Sequence, residues 1–166
     1  TPNAAEAEDK GAEIERRLYH GDRWALNVNL GFLDTEYTSI GAAADAVRPG
    51  DPFAQAPEST VSVGVQYEHT FGSGPTLVPR FDYTWTDDYT LATDYRNQSF
   101  QEAYGLLNAR VTFAPADERW RLAVFGTNLT DEYYMNSGFY SESNQLNFVT
   151  LGGPREVGAS LTFSFE

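Results

Sequence analysis

The feature that most constrains the fold is an alternation of apolar and polar residues with a period of two. Between Trp24 and Phe32, every second residue is large and apolar, and the residues between them are Ala, Asn or Gly. Successive side chains of a β-strand point to opposite faces of the sheet, so this segment would have one apolar and one polar face. Because a convincing helical period is found nowhere in the chain, the pattern predicts an all-β protein.

The same alternation recurs along the chain and predicts about seven strands. They lie at 7–20, 24–32, 59–71, 76–86, 103–113, 120–130 and 156–165. The first is the weakest, because Arg16 interrupts its apolar side. Arg16 is close to the turn at His20, so in a strand that crosses a membrane its long side chain can extend to the interface. Several strands exceed the ~5–6 residues of a typical globular strand and reach the ~9–11 residues with which a tilted strand crosses a bilayer.

Short and long connections alternate between these strands. Short turns lie at 20–23, 72–75 and 114–118, and long polar connections lie at 38–58, 87–100 and 131–153. Outer-membrane barrels have this arrangement, with short periplasmic turns and long extracellular loops.

Aromatic residues fall at two levels along the predicted strands. The level near the short turns contains Trp24, Phe71, Phe113, Trp120 and Phe165. The level near the long loops contains Phe32, Tyr37, Tyr83 and Trp85. Two aromatic levels that bracket aliphatic residues are expected of a barrel whose rings lie at both membrane interfaces.

Composition argues against several functional classes. The chain has 24 Asp+Glu against 11 Lys+Arg and a formal net charge of -13, which disfavours a nucleic-acid partner, because phosphate binding needs basic patches. It has no Cys and only two His, so thiolate metal sites are impossible and a His-rich catalytic centre is not expected. No nucleophile elbow or metal-binding His pair occurs. We therefore expect no enzymatic activity, no bound metal and no cofactor.

Two other architectures are compatible with the alternation. A soluble acidic β-sandwich with a binding function also buries one face of each strand, and its core would take up the aromatic residues. A small structural or adhesive outer-membrane barrel would close with ~8 strands and would hold no plug.

Four segments resemble, in order, parts of the barrel of TonB-dependent outer-membrane receptors. They are 3–15, 104–111, the run Gly-Thr-Asn-Leu-Thr-Asp-Glu-Tyr-Tyr at 126–134, and the last strand at 153–165. The resemblance implies an antiparallel transmembrane barrel of about 22 strands with a plugged lumen. It also implies active uptake of a scarce nutrient, most often a ferric siderophore, with energy delivered through a TonB-type transducer.

This chain would supply only about the last seven of those strands. The family's plug has no counterpart in it, and an odd strand number does not match the even count of single-chain bacterial barrels. We therefore expect residues 1–166 to be the C-terminal portion of a longer receptor in the outer membrane of a Gram-negative bacterium. Its partners would be outer-membrane lipid and lipopolysaccharide, the remaining strands and plug, the TonB-type transducer, and a small-molecule ligand.

Three groups of residues are predicted to matter for function. Candidate ligand contacts in the extracellular loops, where aromatic rings and Arg offer contact area and a planar donor fork, are Tyr89, Tyr95, Arg96, Tyr134, Phe139 and Tyr140. Residues expected to face the lumen, and to pair with one another or with the plug, are Glu68, Arg80, Asp82, Asn108 and Arg110. Residues that resemble the C-terminal signal of the outer-membrane assembly machinery are Gly158, Leu161, Phe163 and Phe165.

The charge of the long loops gives one further expectation. Carboxylates outnumber arginines in the predicted loops. This part of the receptor mouth should therefore repel strongly anionic ligands.

Overall fold

One antiparallel sheet of long strands dominates the structure, a computed structural model that describes residues 5–41, 47–92, 100–141 and 143–165. The strands are β1 Ala5–His20, β2 Trp24–Ile40, β3 Ser59–Tyr67, β4 His69–Thr70, β5 Thr76–Thr86, β6 Tyr89–Thr90, β7 Phe100–Gln101, β8 Tyr104–Ala114, β9 Trp120–Thr127, β10 Met135–Ser141, β11 Leu146–Leu151 and β12 Glu156–Phe163. The main sheet has the order β1-β2-β3-β5-β8-β9-β12, and β4 also pairs with β5.

The predicted strands at 7–20, 24–32, 59–71, 76–86, 103–113, 120–130 and 156–165 are all confirmed. β3 and β4 together correspond to the predicted strand 59–71. Gln66 lies opposite Arg80 and His69 lies opposite Leu77, so the register does not shift across Glu68. The main strands follow one another around the sheet in chain order, as expected of an up-and-down barrel wall.

The register brings the apolar residues of different strands onto one face. One row crosses all seven long strands through Leu18, Leu26, Val65, Phe81, Ala109, Gly126 and Val157. The neighbouring row on the opposite face includes the directly paired Arg80 and Arg110. Arg16 pairs with Val28 and therefore lies on the apolar side, as the sequence predicted.

The sheet has almost no core of its own. Among the described residues, the buried apolar side chains are Leu91, Ala114 and Ala123. Large apolar residues of the main strands are instead exposed, including Val157 at 77% and Val124 at 55%. A β-sandwich would need a second sheet across the apolar face, but the other strands of the described ranges form only two two-stranded ribbons. The apolar face thus fits a lipid environment better than a protein core.

The aromatic level near the short turns forms a contact series. The ring centroids of Trp24 and Tyr67 are 4.6 Å apart, and those of His69 and Phe71 are 4.5 Å apart. Farther along the sheet, Phe113 lies 5.6 Å from Trp120. Rings of this kind are expected where a barrel wall leaves the hydrocarbon region.

The strand β2 is longer than the alternation indicates. The sequence predicts its end at Phe32, but it continues to Ile40 and pairs there with Ala5 of β1. The returning chain also bonds to it, because the Leu33 N–H donates to the Glu58 carbonyl at 2.9 Å. Residues 33–40 have no regular apolar alternation, so the extension could not be predicted from that pattern.

The described sheet is open. β1 pairs only with β2 and β12 only with β9 within the described residues. It therefore differs from the closed ~8-stranded barrel that was the second alternative. The part of the chain that the structure describes contains no helix long and apolar enough to cross a membrane.

Replacing Val65 by Arg should impair assembly of the sheet. Val65 pairs with Leu26 and Phe81 in the apolar row, two residues from the aromatic level at Trp24. An Arg on the lipid face costs about 0–1 kcal/mol near an interface and about 2–4 kcal/mol at the midplane. The folded fraction would be measured from heat-modifiable mobility of outer-membrane fractions. The control is Ser62→Arg, on the polar face of the same strand; equal assembly of both variants would contradict the assignment of the faces.

Candidate ligand-binding surface

Two long loops leave the same end of the sheet and pack against each other. We call the described residues 87–92 and 100–103 the β5–β8 loop, and the described residues 128–141 and 143–155 the β9–β12 loop. The first contains the short β6–β7 ribbon, and the second contains the β10–β11 hairpin. The predicted long connection at 131–153 is confirmed, and it contains a hairpin that the alternation of the sequence does not indicate.

The β10–β11 hairpin is held by a cross-strand aromatic pair. Phe139 lies directly opposite Phe148, and their rings stack at 5.1 Å with an interplanar angle of 16°. Aromatic pairs of this type stabilise two-stranded ribbons. Both rings are substantially exposed, Phe139 at 58% and Phe148 at 43%. The hairpin therefore offers an apolar surface at the loop end of the sheet.

Asn128 joins both ends of the β9–β12 loop. Its side-chain oxygen accepts the N–H of Glu132 at 2.8 Å, and its Nδ2 donates to the carbonyls of Glu132 at 2.8 Å and Gly153 at 3.0 Å. Its own N–H donates to Asn108 Oδ1 at 2.9 Å. The residue is buried and has a φ of 47°, a left-handed conformation that Asn adopts more readily than most residues. This hub ties the base of the loop to β8.

An exposed ion pair closes the same loop base. Asp131 Oδ1 accepts the N–H of Arg155 at 3.2 Å, and the guanidinium of Arg155 lies 3.4 Å from Asp131 Oδ2. Both carboxylate oxygens of Asp131 are therefore engaged within the loop. In the described ranges, no group of three or more His, Cys, Asp and Glu could hold a metal ion.

Two titratable groups at the start of the β5–β8 loop have shifted pKa values. The Ser59 hydroxyl donates to Asp87 at 2.7 Å and, with the N–H of Asp88 at 3.0 Å, lowers the pKa of Asp87. Burial and a hydrogen bond with Tyr104 raise the pKa of Tyr89 to about 12. At neutral pH, Asp87 therefore stays negative and Tyr89 stays neutral.

The predicted ligand contacts occupy different environments. Tyr89 and Tyr134 are half-buried at the contact between the two loops, whereas Phe139 and Tyr140 of β10 are exposed. Tyr95 and Arg96 lie outside the described residues. The exposed Phe148 was not among the predicted contacts. It lies two residues from both Leu146 and Thr150, and this spacing could have indicated a strand.

The predicted lumen residues include a close ion pair. The guanidinium of Arg80 forks onto Asp82, with Nε–Oδ2 at 2.8 Å and Nη2–Oδ1 at 2.5 Å. The pair lies over Gly64, where a Cβ would come within 2.6 Å of Asp82 Oδ1. Bidentate Arg–carboxylate geometry is strong and directional.

The other predicted lumen residues have different partners. Arg110, which faces Arg80 across the strands, lies 5.5 Å above the ring of Phe125. Asn108 accepts from the backbone of Asn128. Glu68 is exposed between β3 and β4.

The last strand has one polar and one apolar side. Leu161 pairs with Leu122 and Phe163 with Trp120 on the apolar side. Gly158 lies on the other side, opposite Phe125, whose ring a Cβ would meet at 2.8 Å. Phe165 follows the strand and is 92% exposed.

Replacing Asn128 by Ala should loosen the β9–β12 loop. The change removes three hydrogen bonds to backbone groups of Glu132 and Gly153, and each hydrogen bond contributes about 0.5–1.5 kcal/mol. Limited proteolysis of the purified full-length receptor should show faster cleavage within 128–155, while the barrel stays folded.

The matched control is Thr130→Ala, an exposed position in the same turn. Equal cleavage rates for the two variants would contradict the role of Asn128.

An open up-and-down sheet with one apolar face, one polar face, an aromatic level and long loops at one end is a segment of a transmembrane β-barrel wall. A family model described as "TonB dependent receptor-like, beta-barrel" matches residues 1–129. The chain belongs to this family.

The relatives are described as receptors. The pesticin receptor of Yersinia pestis is 25% identical over 163 residues, which cover 98% of this chain and 23% of that protein. The ferric yersiniabactin uptake receptor FyuA of Yersinia pestis superposes with a TM-score of 0.84 and 23% identity, over 99% of this chain and 24% of that one. BauA, the ferric preacinetobactin receptor of Acinetobacter baumannii, superposes with a TM-score of 0.74 and 16% identity, over 98% and 23% of the two chains.

These likenesses agree on the fold and on the extent of the match. The chain spans about a quarter of the length of the relatives it matches. It is thus part of a barrel wall, as the sequence predicted, and neither a sandwich nor a small closed barrel.

Proposed function

We propose that the chain is the C-terminal wall of a TonB-dependent receptor that takes up a ferric siderophore or a similar iron complex. The observation that carries this proposal is the superposition of nearly the whole chain on a ferric yersiniabactin uptake receptor and on a ferric preacinetobactin receptor. The receptor would lie in the outer membrane of a Gram-negative bacterium, in contact with lipid and lipopolysaccharide. The residues 1–166 would supply barrel strands, and the plug would belong to the rest of the receptor.

The loop end of the sheet would face the outside and capture the ligand. The stacked Phe139 and Phe148 give an exposed aromatic surface there, and such rings offer broad contact area with little loss of side-chain freedom. Tyr140 adds a hydroxyl on the same hairpin. Tyr95 and Arg96 remain candidate contacts from the sequence alone.

The polar face would line the lumen and contact the plug. Arg80 and Asp82 satisfy each other, whereas Arg110 has an aromatic ring and a long hydrogen bond to Thr112 at 3.4 Å. Arg110 is therefore the better candidate for pairing with a plug carboxylate. Energy from the TonB-type transducer would act through the plug.

The acidic loops would influence which complexes enter. Described carboxylates near the loop end include Asp51, Glu58, Asp87, Asp88, Glu102 and Glu132. A negative potential at this part of the mouth disfavours strongly anionic ligands. We therefore favour an iron complex of low net charge.

Uptake of radioactive iron tests the proposal directly. Siderophore purified from iron-starved medium of the source organism would be loaded with ⁵⁵Fe and given to cells that carry or lack the full-length receptor. Accumulation should require both the receptor and a functional TonB-type transducer. Unchanged accumulation in the deletion strain would contradict the proposed function.

Replacing Phe139 by Ala should weaken capture of the complex. Loss of one aromatic contact, worth about 0.5–1.5 kcal/mol, should raise the apparent Kd for uptake about two- to twelvefold. The control is Phe71→Ala, which removes an exposed ring of the same kind at the opposite end of the sheet. Equal apparent Kd values for the two variants would exclude the hairpin from the ligand contact.

A further inference from the structure

The two long loops are fastened together at Met135, the first residue of β10. Gln101 Oε1 accepts the Met135 N–H at 2.6 Å, and the Tyr89 hydroxyl donates to the Met135 carbonyl at 3.3 Å. Tyr89 and Gln101 are themselves directly opposite each other in the β6–β7 ribbon. Two side chains of one loop thus satisfy both backbone groups of a residue in the other, as a neighbouring strand would.

Gln101 is suited to this contact by its burial and by its second hydrogen bond. It is 5% exposed, and its Nε2 donates to the Glu102 carbonyl at 2.7 Å. Its side-chain oxygen therefore accepts a hydrogen bond from the β9–β12 loop, and its side-chain nitrogen donates one within its own β5–β8 loop. A buried amide whose two ends are both bonded has a defined orientation.

Apolar contacts surround this hydrogen-bonded pair. Leu91 is 3% exposed, and a Cβ at Gly138 would lie 3.2 Å from its Cδ1. Tyr104 and Tyr134 stack at 4.6 Å with an interplanar angle of 17°. The contact between the loops is therefore closed on several sides rather than held by one bond.

We propose that Gln101 is a positioning residue that joins the β5–β8 loop to the β10–β11 hairpin, so that both loops present their ligand-binding surface as one body. The ligand-binding part of this proposal rests on the proposed function, whereas the coupling between the two loops does not. Phe139 lies four residues beyond Met135 on the same strand. The anchor at Met135 therefore determines where the exposed aromatic surface lies relative to the neighbouring loop.

Hydrogen exchange of the purified full-length receptor tests the coupling without any ligand. In Gln101→Ala, amide exchange should rise at least about tenfold in both 87–92 and 135–151, and it should stay unchanged in β2, β3 and β5. Glu102→Ala is the matched control, because it alters an exposed neighbour and keeps the carbonyl that Gln101 binds. Exchange in 135–151 that stays as in the unmodified receptor would overturn the proposal.

A second variant distinguishes positioning from general damage. Protonated Glu at position 101 has the same acceptor and donor as Gln, whereas ionised Glu lacks the donor and buries a charge. Gln101→Glu should therefore exchange like the unmodified receptor at pH 5 and like Gln101→Ala at pH 8, each compared at the same pH. A Gln101→Glu variant without this pH dependence would overturn the proposal.

The surroundings of position 101 make this pH test interpretable. Tyr89, opposite Gln101, has a pKa raised to about 12 and stays neutral over this range. The strands β10 and β11 contain no Asp, Glu, His, Lys or Arg, and the side chain of Glu102 is exposed. The Glu102→Ala control at both pH values separates any contribution of that carboxylate.

Iron uptake gives the functional readout. In Gln101→Ala, the apparent Kd for the ⁵⁵Fe-loaded siderophore should rise about as much as in Phe139→Ala, and Gln101→Glu should restore it at pH 5 only. If no variant and not even the unmodified receptor takes up iron, the proposed function fails, while the exchange data still decide the coupling. Normal uptake affinity in Gln101→Ala would overturn the positioning role.

Discussion

The antiparallel register of the long strands determines which side chains meet lipid and which meet water. Backbone groups in a bilayer have no water to bond, so every strand must pair with a neighbour. Since side chains alternate, a slip of one residue would move Leu26, Val65 and Phe81 to the polar face. The same slip would turn Arg80 and Asp82 to the apolar face. One register therefore fixes which residues form the apolar face and which form the polar face.

The base of the β9–β12 loop explains why a short run of residues resembles the receptor family. Within 126–134, Asn128 combines a left-handed backbone with four hydrogen bonds. Asp131 also has a positive φ of 58° and pairs with Arg155. These are demands on particular residue types at fixed spacing. The residues of this run that resemble the family are therefore the ones that close the base of one loop.

The features that sequence reasoning predicted depend on local pattern. The alternation from Trp24 to Phe32 and the turn at Gly72–Pro75 are encoded in neighbouring residues, so the strands and faces could be inferred. The features it missed depend on distant partners. Nothing near Gln101 indicates that its amide binds Met135, and the burial of Tyr89 and Tyr134 arises only when two loops meet. The β10–β11 hairpin is not evident from the alternation because its strands have only seven and six residues, and β11 has apolar residues at both alternating positions.

The order of the strands also determines how freely the connections at the two ends of the sheet can change in length. Each long strand pairs with its neighbours in the chain, so every connection only has to bring two adjacent ends together. The entropy lost in closing such a connection grows with the logarithm of its length, by about 0.6 kcal/mol for each doubling. The long loops can therefore lengthen, shorten or be exchanged at little thermodynamic cost. The paired strands can therefore stay the same while the loops, which form the recognition surface, change in length and shape.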